Sequence, residues 1–164
     1  MKKKNFKNVF IGIVVILFLL FIFKNFNDYR EGNLADLIIY EQEILFGLGF
    51  AEGSNKSPRS NWKSTWLEDD KETVEKLIDF LSQYQVKKIN SKQYDEEFNQ
   101  KDKSVEEEIF EFEILHKGNT GTSMYLLGDR IHIRNKGYYD VLNGPIDSDW
   151  LSDFFKKIYE RNKE

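Results

Sequence analysis

Hydrophobic side chains are spaced in three ways along this chain, and each spacing predicts a different element. From Val9 to Phe23 they form an unbroken run, preceded by Lys2, Lys3, Lys4 and Lys7 and closed by Lys24. In two later segments they recur at helical intervals. Between those segments they alternate strictly with polar residues.

The first helical pattern is Val74, Leu77, Ile78 and Leu81, at i, i+3, i+4 and i+7. With Asp69 and Glu72 in a capping-box-like arrangement ahead of it, it predicts an amphipathic helix over residues 70–83. The second pattern is Trp150, Leu151, Phe154, Phe155 and Ile158, which marks one face of a final helix. Pro145 and an Asp147 cap precede it, and Ile146 and Leu151 occupy the positions of a hydrophobic staple.

The alternating block predicts four strands, at about residues 109–116, 122–127, 130–134 and 138–142. Gly128-Asp129 is a two-residue hairpin signal, because glycine at its first position permits the positive φ of a type II′ turn. That turn sets Leu127 opposite Arg130, Leu126 opposite Ile131 and Met124 opposite Ile133. If the loops at 117–121 and 135–137 close symmetrically, Ile114 faces Met124, Phe112 faces Leu126, and Tyr139 and Val141 face Ile133 and Ile131. In this register Phe110, Phe112, Ile114, Met124, Leu126, Ile131, Ile133, Tyr139 and Val141 share one face, as a one-sided core requires. Glu111, Glu113, Tyr125, Leu127, Arg130, His132, Arg134, Tyr138 and Asp140 share the other. The expected fold class is therefore α+β: an antiparallel meander with two helices packed on one face.

The remaining segments read less clearly. Residues 27–36 are polar and read as a tether. Residues 37–46 are strand-like through Ile38, Ile39, Tyr40, Ile44, Leu45 and Phe46. Residues 47–65, with Gly47, Gly49, Gly53 and Pro58, read as a long loop. Residues 84–89 suggest a short strand, and 90–104 are charged and loop-like.

The apolar run bears on location. Its strict core of roughly 15 residues rises only about 22 Å as a helix, short of a hydrocarbon core of about 30 Å. Extended from Phe6 to Phe26, with Lys7 and Lys24 snorkelling at the ends, it reaches about 31 Å. Lys24-Asn25-Phe26-Asn27-Asp28 offers no small-residue cleavage site, and without cysteine there is no lipidation route. The expectation is a cytoplasmic basic stub at residues 1–7 and a signal-anchor transmembrane helix at 8–26 in the lipid bilayer. A tether at 27–36 and one extracytoplasmic domain at 37–164 follow, in a single-pass cell-membrane protein with its N-terminus inside.

Charge sharpens the picture. Five of the 24 basic residues and none of the 28 acidic ones lie in the first 26 positions, so the remainder holds 19 basic against 28 acidic side chains. A net charge of about −9 argues against nucleic acid, whose binding rests on neutralising phosphates. It suits a basic protein partner or cations. Zero cysteines exclude disulfides, thiol catalysis and thiolate metal sites. The abundance of Lys, Asn, Ile and Phe resembles the composition of proteins from AT-rich Gram-positive bacteria.

Candidate chemistry is sparse, and no cofactor, metal or catalytic motif is expected. The symmetric register would align Glu113, Tyr125, His132 and Asp140 in one row, a conceivable acid-base group for a cell-envelope enzyme. An alternating-charge row on a solvated sheet is the plainer reading. Ser123 is the only serine or threonine near His132 and no strained elbow surrounds it, while His116 falls at the strand end. The Glu106-Glu107-Glu108 run shows no pocket, and Asp95-Glu96-Glu97 with Asp102 lacks calcium-loop spacing. Gly47-Leu48-Gly49 lacks the third glycine of a dinucleotide fingerprint. In the long loop, Trp62 and Trp66 near Arg59 and Lys63 either contact a partner or fold back as a cap. The expected function is a non-enzymatic binding or regulatory module, of the immunity or inhibitor type, engaging an envelope or secreted protein. Its surface would comprise Tyr125, His132, Asp140, Glu113, Arg130, Arg134, Tyr138, Trp62 and Trp66.

Overall fold

The structure, a computed structural model, describes residues 2–94, 106–118 and 120–163, and of residues 2–28 only the side chains of 9–23. The chain divides into two compact units, Met1–Arg30 and Glu31–Glu164. The first is a single helix, α1 (Lys2–Asp28), whose side chains from Val9 to Phe23 are exposed around its whole circumference. Among the described residues, no helix is long and apolar enough to cross a membrane. This overturns the expected anchor in the bilayer at residues 8–26 and, with it, the single-pass, extracytoplasmic placement. The physical reason lies in the short apolar core: about 15 residues rise only about 22 Å before asparagine and lysine intervene at either end.

The second unit is a small mixed α and β domain built on one antiparallel sheet. Among the described residues the sheet has eight strands: β1 (Gly32–Asn33), β2 (Leu45–Ser54), β3 (Lys63–Glu68), β4 (Gln85–Ile89), β5 (Glu108–His116), β6 (Gly121–Leu127), β7 (Arg130–Ile133) and β8 (Gly137–Val141). Their order is β1-β4-β8-β7-β6-β5-β2-β3. Helices α2 (Lys71–Leu81) and α3 (Ser148–Arg161) cover one face. The expected four-stranded meander is thus half of the sheet, and three segments read otherwise are corrected.

The presumed loop at 47–65 is mostly the β2–β3 hairpin, in which Gly49 pairs with Trp66 and Ala51 with Ser64. Its glycines are strand residues beneath tryptophan rings. A Cβ on Gly47 would lie 2.5 Å from Trp66 Cζ2, and a methyl group on Gly53 would overlap the Trp62 indole. The presumed tether contains β1, which pairs Gly32 with Val86, and then the fully buried Leu34. The presumed strand at 37–46 is irregular apart from two short 3-10 turns, Ala35–Leu37 and Gln42–Ile44, and the start of β2. Backbone groups there lack a ladder, so side chains serve them: Thr122 Oγ1 accepts from Ile39 N–H at 2.7 Å and His116 Nε2 from Glu41 N–H at 2.9 Å. Both acceptors are buried, which puts His116 under this segment rather than at an open strand end.

The Gly128-Asp129 turn, with Gly128 at φ +60°, sets Leu127 against Arg130 and Met124 against Ile133. Its two neighbouring hairpins close more tightly than symmetric loops would. Ile114 pairs with Thr122 and Phe112 with Met124, and Ile131 pairs with Tyr139. Each register is displaced by two residues, and a displacement of two keeps every side chain on its face. Phe110, Phe112, Ile114, Met124, Leu126, Ile131, Ile133, Tyr139 and Val141 all join the core.

The helices dock by their apolar stripes. In α2, Val74, Leu77 and Leu81 are fully buried, each worth about 1.5–3 kcal/mol of transfer free energy. The cap is Asp70, not Asp69: its side chain accepts from Thr73 N–H at 3.0 Å and pairs with Arg161 of α3. Burial opposes ionisation of Asp70, but these partners hold its carboxyl below the ordinary value. Leu151, Phe155 and Ile158 fasten α3, and Phe50 of β2 meets Phe155 edge-on at 5.2 Å.

Gly53→Ala lowers unfolding free energy by about 1–3 kcal/mol through overpacking, and the penalty disappears in a Trp62→Ala background, as urea denaturation of the four-member cycle will show. Thr122→Val, which leaves the Ile39 N–H without an acceptor, costs about 1–3 kcal/mol in the same assay.

Candidate functional site

The face of the sheet opposite the helices carries the candidate surface, because β-strand alternation sends every second side chain there. In the observed register one row runs Ser64, Ala51, Glu111, Tyr125, His132, Tyr138 and Ile89 across seven strands. On one side of it, Trp66, Gly49, Glu113 and Ser123 form a second row. On the other, Leu127, Arg130, Asp140 and Lys87 form a third. Seven of the nine residues singled out from the sequence lie in these rows, and the other two reach the same face, Trp62 against Tyr125 and Arg134 against Glu113.

The row of Glu113, Tyr125, His132 and Asp140 expected from symmetric loops does not form. Tyr125 and His132 are opposite one another, but the register displacement puts Glu113 opposite Ser123 and Asp140 opposite Arg130. Asp140 is in an ion pair with Arg130 at 3.1 Å, and Glu113 lies 3.7 Å from Arg134. Neither carboxylate orients the imidazole. His132 instead stacks on Tyr138, centroids 4.6 Å apart, and Tyr138 stacks on Tyr94 at 4.3 Å. Burial, and then the charge of Arg134, push the His132 pKa down, which favours the neutral ring. Among the described residues the imidazole thus meets a tyrosine ring rather than a carboxylate.

This face is also richer in hydrophobic contact than a solvated sheet. Ile89, Ile109 and Leu127 are buried yet lie outside the main core cluster, on the side opposite the helices. Trp62 lies over Gly53 and stacks on Tyr125 at 6.3 Å, and Trp66 lies over Gly47 and Gly49 and meets Phe46 at 5.7 Å. Both rings fold back, but onto the outer face, so neither caps the core. The Trp62 Nε1–H is buried and has no acceptor among the described residues. Arg59 sits 5.7 Å above the Trp62 ring and forms an ion pair with Glu111. Burial, and then the Glu111 charge, raise the Tyr125 pKa, with Arg59 opposing.

Beside these rings a side-chain-sized cavity of about 170 Å³ is lined by Gly49, Ala51, Ser64, Glu111 and Glu113 among others. Among the described residues of the second unit, two larger hollows lie elsewhere. One, of about 460 Å³, runs between α2 and α3 over the stacked Phe80, Trp150 and Phe154. The other, of about 500 Å³, holds Glu52, Glu106 and Glu108, where burial and then Glu52 and Asp149 raise the Glu108 pKa. Among the described residues, no group of three or more His, Cys, Asp or Glu side chains is placed to hold a metal ion. Asp95-Glu96-Glu97 and Asp102 lie outside the described residues. Gly47-Leu48-Gly49 forms strand rather than a phosphate-cradling turn. No family model, no curated protein and no solved structure matches this chain.

The lowered pKa of His132 makes stability depend on pH with a definite sign. Its folded pKa lies below the unfolded value near 6.5, so between the two the unfolded chain binds more protons. The His132 contribution to stability is fully present above pH of about 6.5 and is lost as pH falls toward the folded pKa. NMR titration of the His132 ring should give a midpoint below 6.5, and His132→Gln should remove that part of the slope in denaturation curves taken across this window.

Proposed function

We propose that this protein is a non-enzymatic binding module whose outer sheet face engages a basic protein partner, in the manner of an immunity or inhibitor protein. The observation that carries this reading is the composition of a face that neither α2 nor α3 covers. Trp66 is 37 % exposed, and Trp62, Tyr125 and Tyr138 are half-buried beside Arg59, Arg130 and Arg134. Tryptophan, tyrosine and arginine are the side chains enriched at binding hot spots, because they offer large rigid area with a polar tip. The acidic balance of residues 27–164, about −9, favours a partner of opposite charge and speeds its approach. An enzyme built on His132, Asp140 and Glu113 has no such support, since the three side chains do not meet.

Site-specific photocrosslinkers at Trp66, Tyr125 and His132, with Glu75 on α2 as control, test this. One specific protein should be captured from the outer-face positions and not from the control. With that protein purified, Tyr125→Ala should weaken binding by about 2 kcal/mol, the hot-spot scale. The proposal fails if no outer-face position captures a specific protein.

A further inference from the structure

Resting on that reading of the outer face, we infer that the cavity beside Trp66 is a receptor for one arginine side chain of the partner. At about 170 Å³ it is smaller than the roughly 300–1,000 Å³ of small-molecule sites and comparable to a cavity that holds a single benzene. One side chain is the occupant its size admits. Its lining includes Gly49, Ala51 and Ser64, small residues on the outer face of β2 and β3. Trp66 lies against Gly49, with ring atoms 3.3–3.4 Å from the Cβ position, and Trp62 and Trp66 bracket Ser64 two residues away on either side. Neither indole lines the cavity itself, so recognition of charge falls to its carboxylates.

The wall on β5 supplies the charge. Glu111 and Glu113 are successive outward residues of one strand, about 6.8 Å apart along it, and both line the cavity. A planar guanidinium donates in two directions at once, so it can bridge two carboxylates; an ammonium is a point charge without that fork. Arg59 and Arg134 already contact these carboxylates, one each. They do not exhaust them, because an ionised carboxylate offers about four lone-pair sites.

Arg59 also shows that this surface holds a guanidinium: its own is paired with Glu111 over the Trp62 ring, while its side chain stays 73 % exposed. So exposed a pair contributes little, and an incoming arginine competes with it at small cost.

The test is an NMR titration of the full chain with N-acetyl-arginine amide, its uncharged citrulline analogue and N-acetyl-lysine amide. Arginine amide should shift the Trp66 indole resonance and the Gly49 and Ala51 amides. Citrulline should leave them in place, and lysine should act more weakly. Arg59→Gln should tighten arginine binding roughly 2- to 5-fold by removing an exposed competing ion pair. The double variant Glu111→Gln, Glu113→Gln should abolish the response while the core resonances remain unchanged. Equal shifts with citrulline, or an unaltered response in the double carboxylate variant, would overturn the inference. Its failure is separable from that of the binding module. Capture at Tyr125 and His132 that survives the double variant removes the slot and keeps the module, whereas arginine binding without any captured protein keeps the slot and removes the module.

Discussion

The domain turns on β2, whose two faces obey opposite packing rules. On the inner face Phe50 is in ring contact with Phe110, Phe112, Phe154 and Phe155, so one side chain joins its own strand, its neighbour β5 and helix α3. On the outer face Gly47, Gly49 and Gly53 leave hollows that the Trp66 and Trp62 rings fill. Large-inside and absent-outside alternate along the same ten residues. The pattern binds three layers: helices, sheet and the aromatic outer surface. A glycine inside a strand ordinarily weakens it, since it supplies no contact and loses more backbone entropy. Here the tryptophans, one in β3 and one just before it, restore the missing contact, so the hairpin holds its register through side chains that cross the strand boundary.

This arrangement explains what was legible in the sequence and what was not. Alternation made the β5–β8 block readable, and the helical spacing of Val74, Leu77 and Leu81 and of Leu151, Phe155 and Ile158 made α2 and α3 readable, because burial alone sets those patterns. The faces survived an error in register for a geometric reason. Loops that close one residue earlier on each side displace a pairing by two, and two is the period of the strand. What that displacement altered was lateral: His132 faces Tyr138 instead of Asp140. Burial patterns encode faces and are silent about neighbours along a row, so the site was legible as a surface and illegible as a constellation.

The segments misread share another cause. Gly47, Gly49 and Gly53 look like punctuation when a strand is recognised by its side chains, and their partners Trp62 and Trp66 lie a turn away in sequence. β1 is two residues long and depends on β4 for its existence. The irregular segment at 37–44 is apolar enough to suggest a strand, yet its amides are satisfied by His116 and Thr122, residues more than 70 positions distant. In each case tertiary contact decides the backbone, and no local window contains the deciding partner. The apolar N-terminal run errs in the other direction: its pattern is strong and local, but its length is insufficient.

The outer face therefore carries two demands at once. Trp62 and Trp66 are part of what keeps the β2–β3 hairpin in place, and they also flank the cavity at Glu111 and Glu113. A change to either ring alters fold and surface together, and lost binding in such a variant would say little about recognition. The carboxylates are different. Glu111 and Glu113 are partly exposed, their pairs with Arg59 and Arg134 lie at the surface, and exposed ion pairs contribute little to stability. Charge on this face can thus change while the packing beneath it is preserved. Within one small sheet the aromatic residues fix where the surface is, and the acidic residues beside them determine what it attracts.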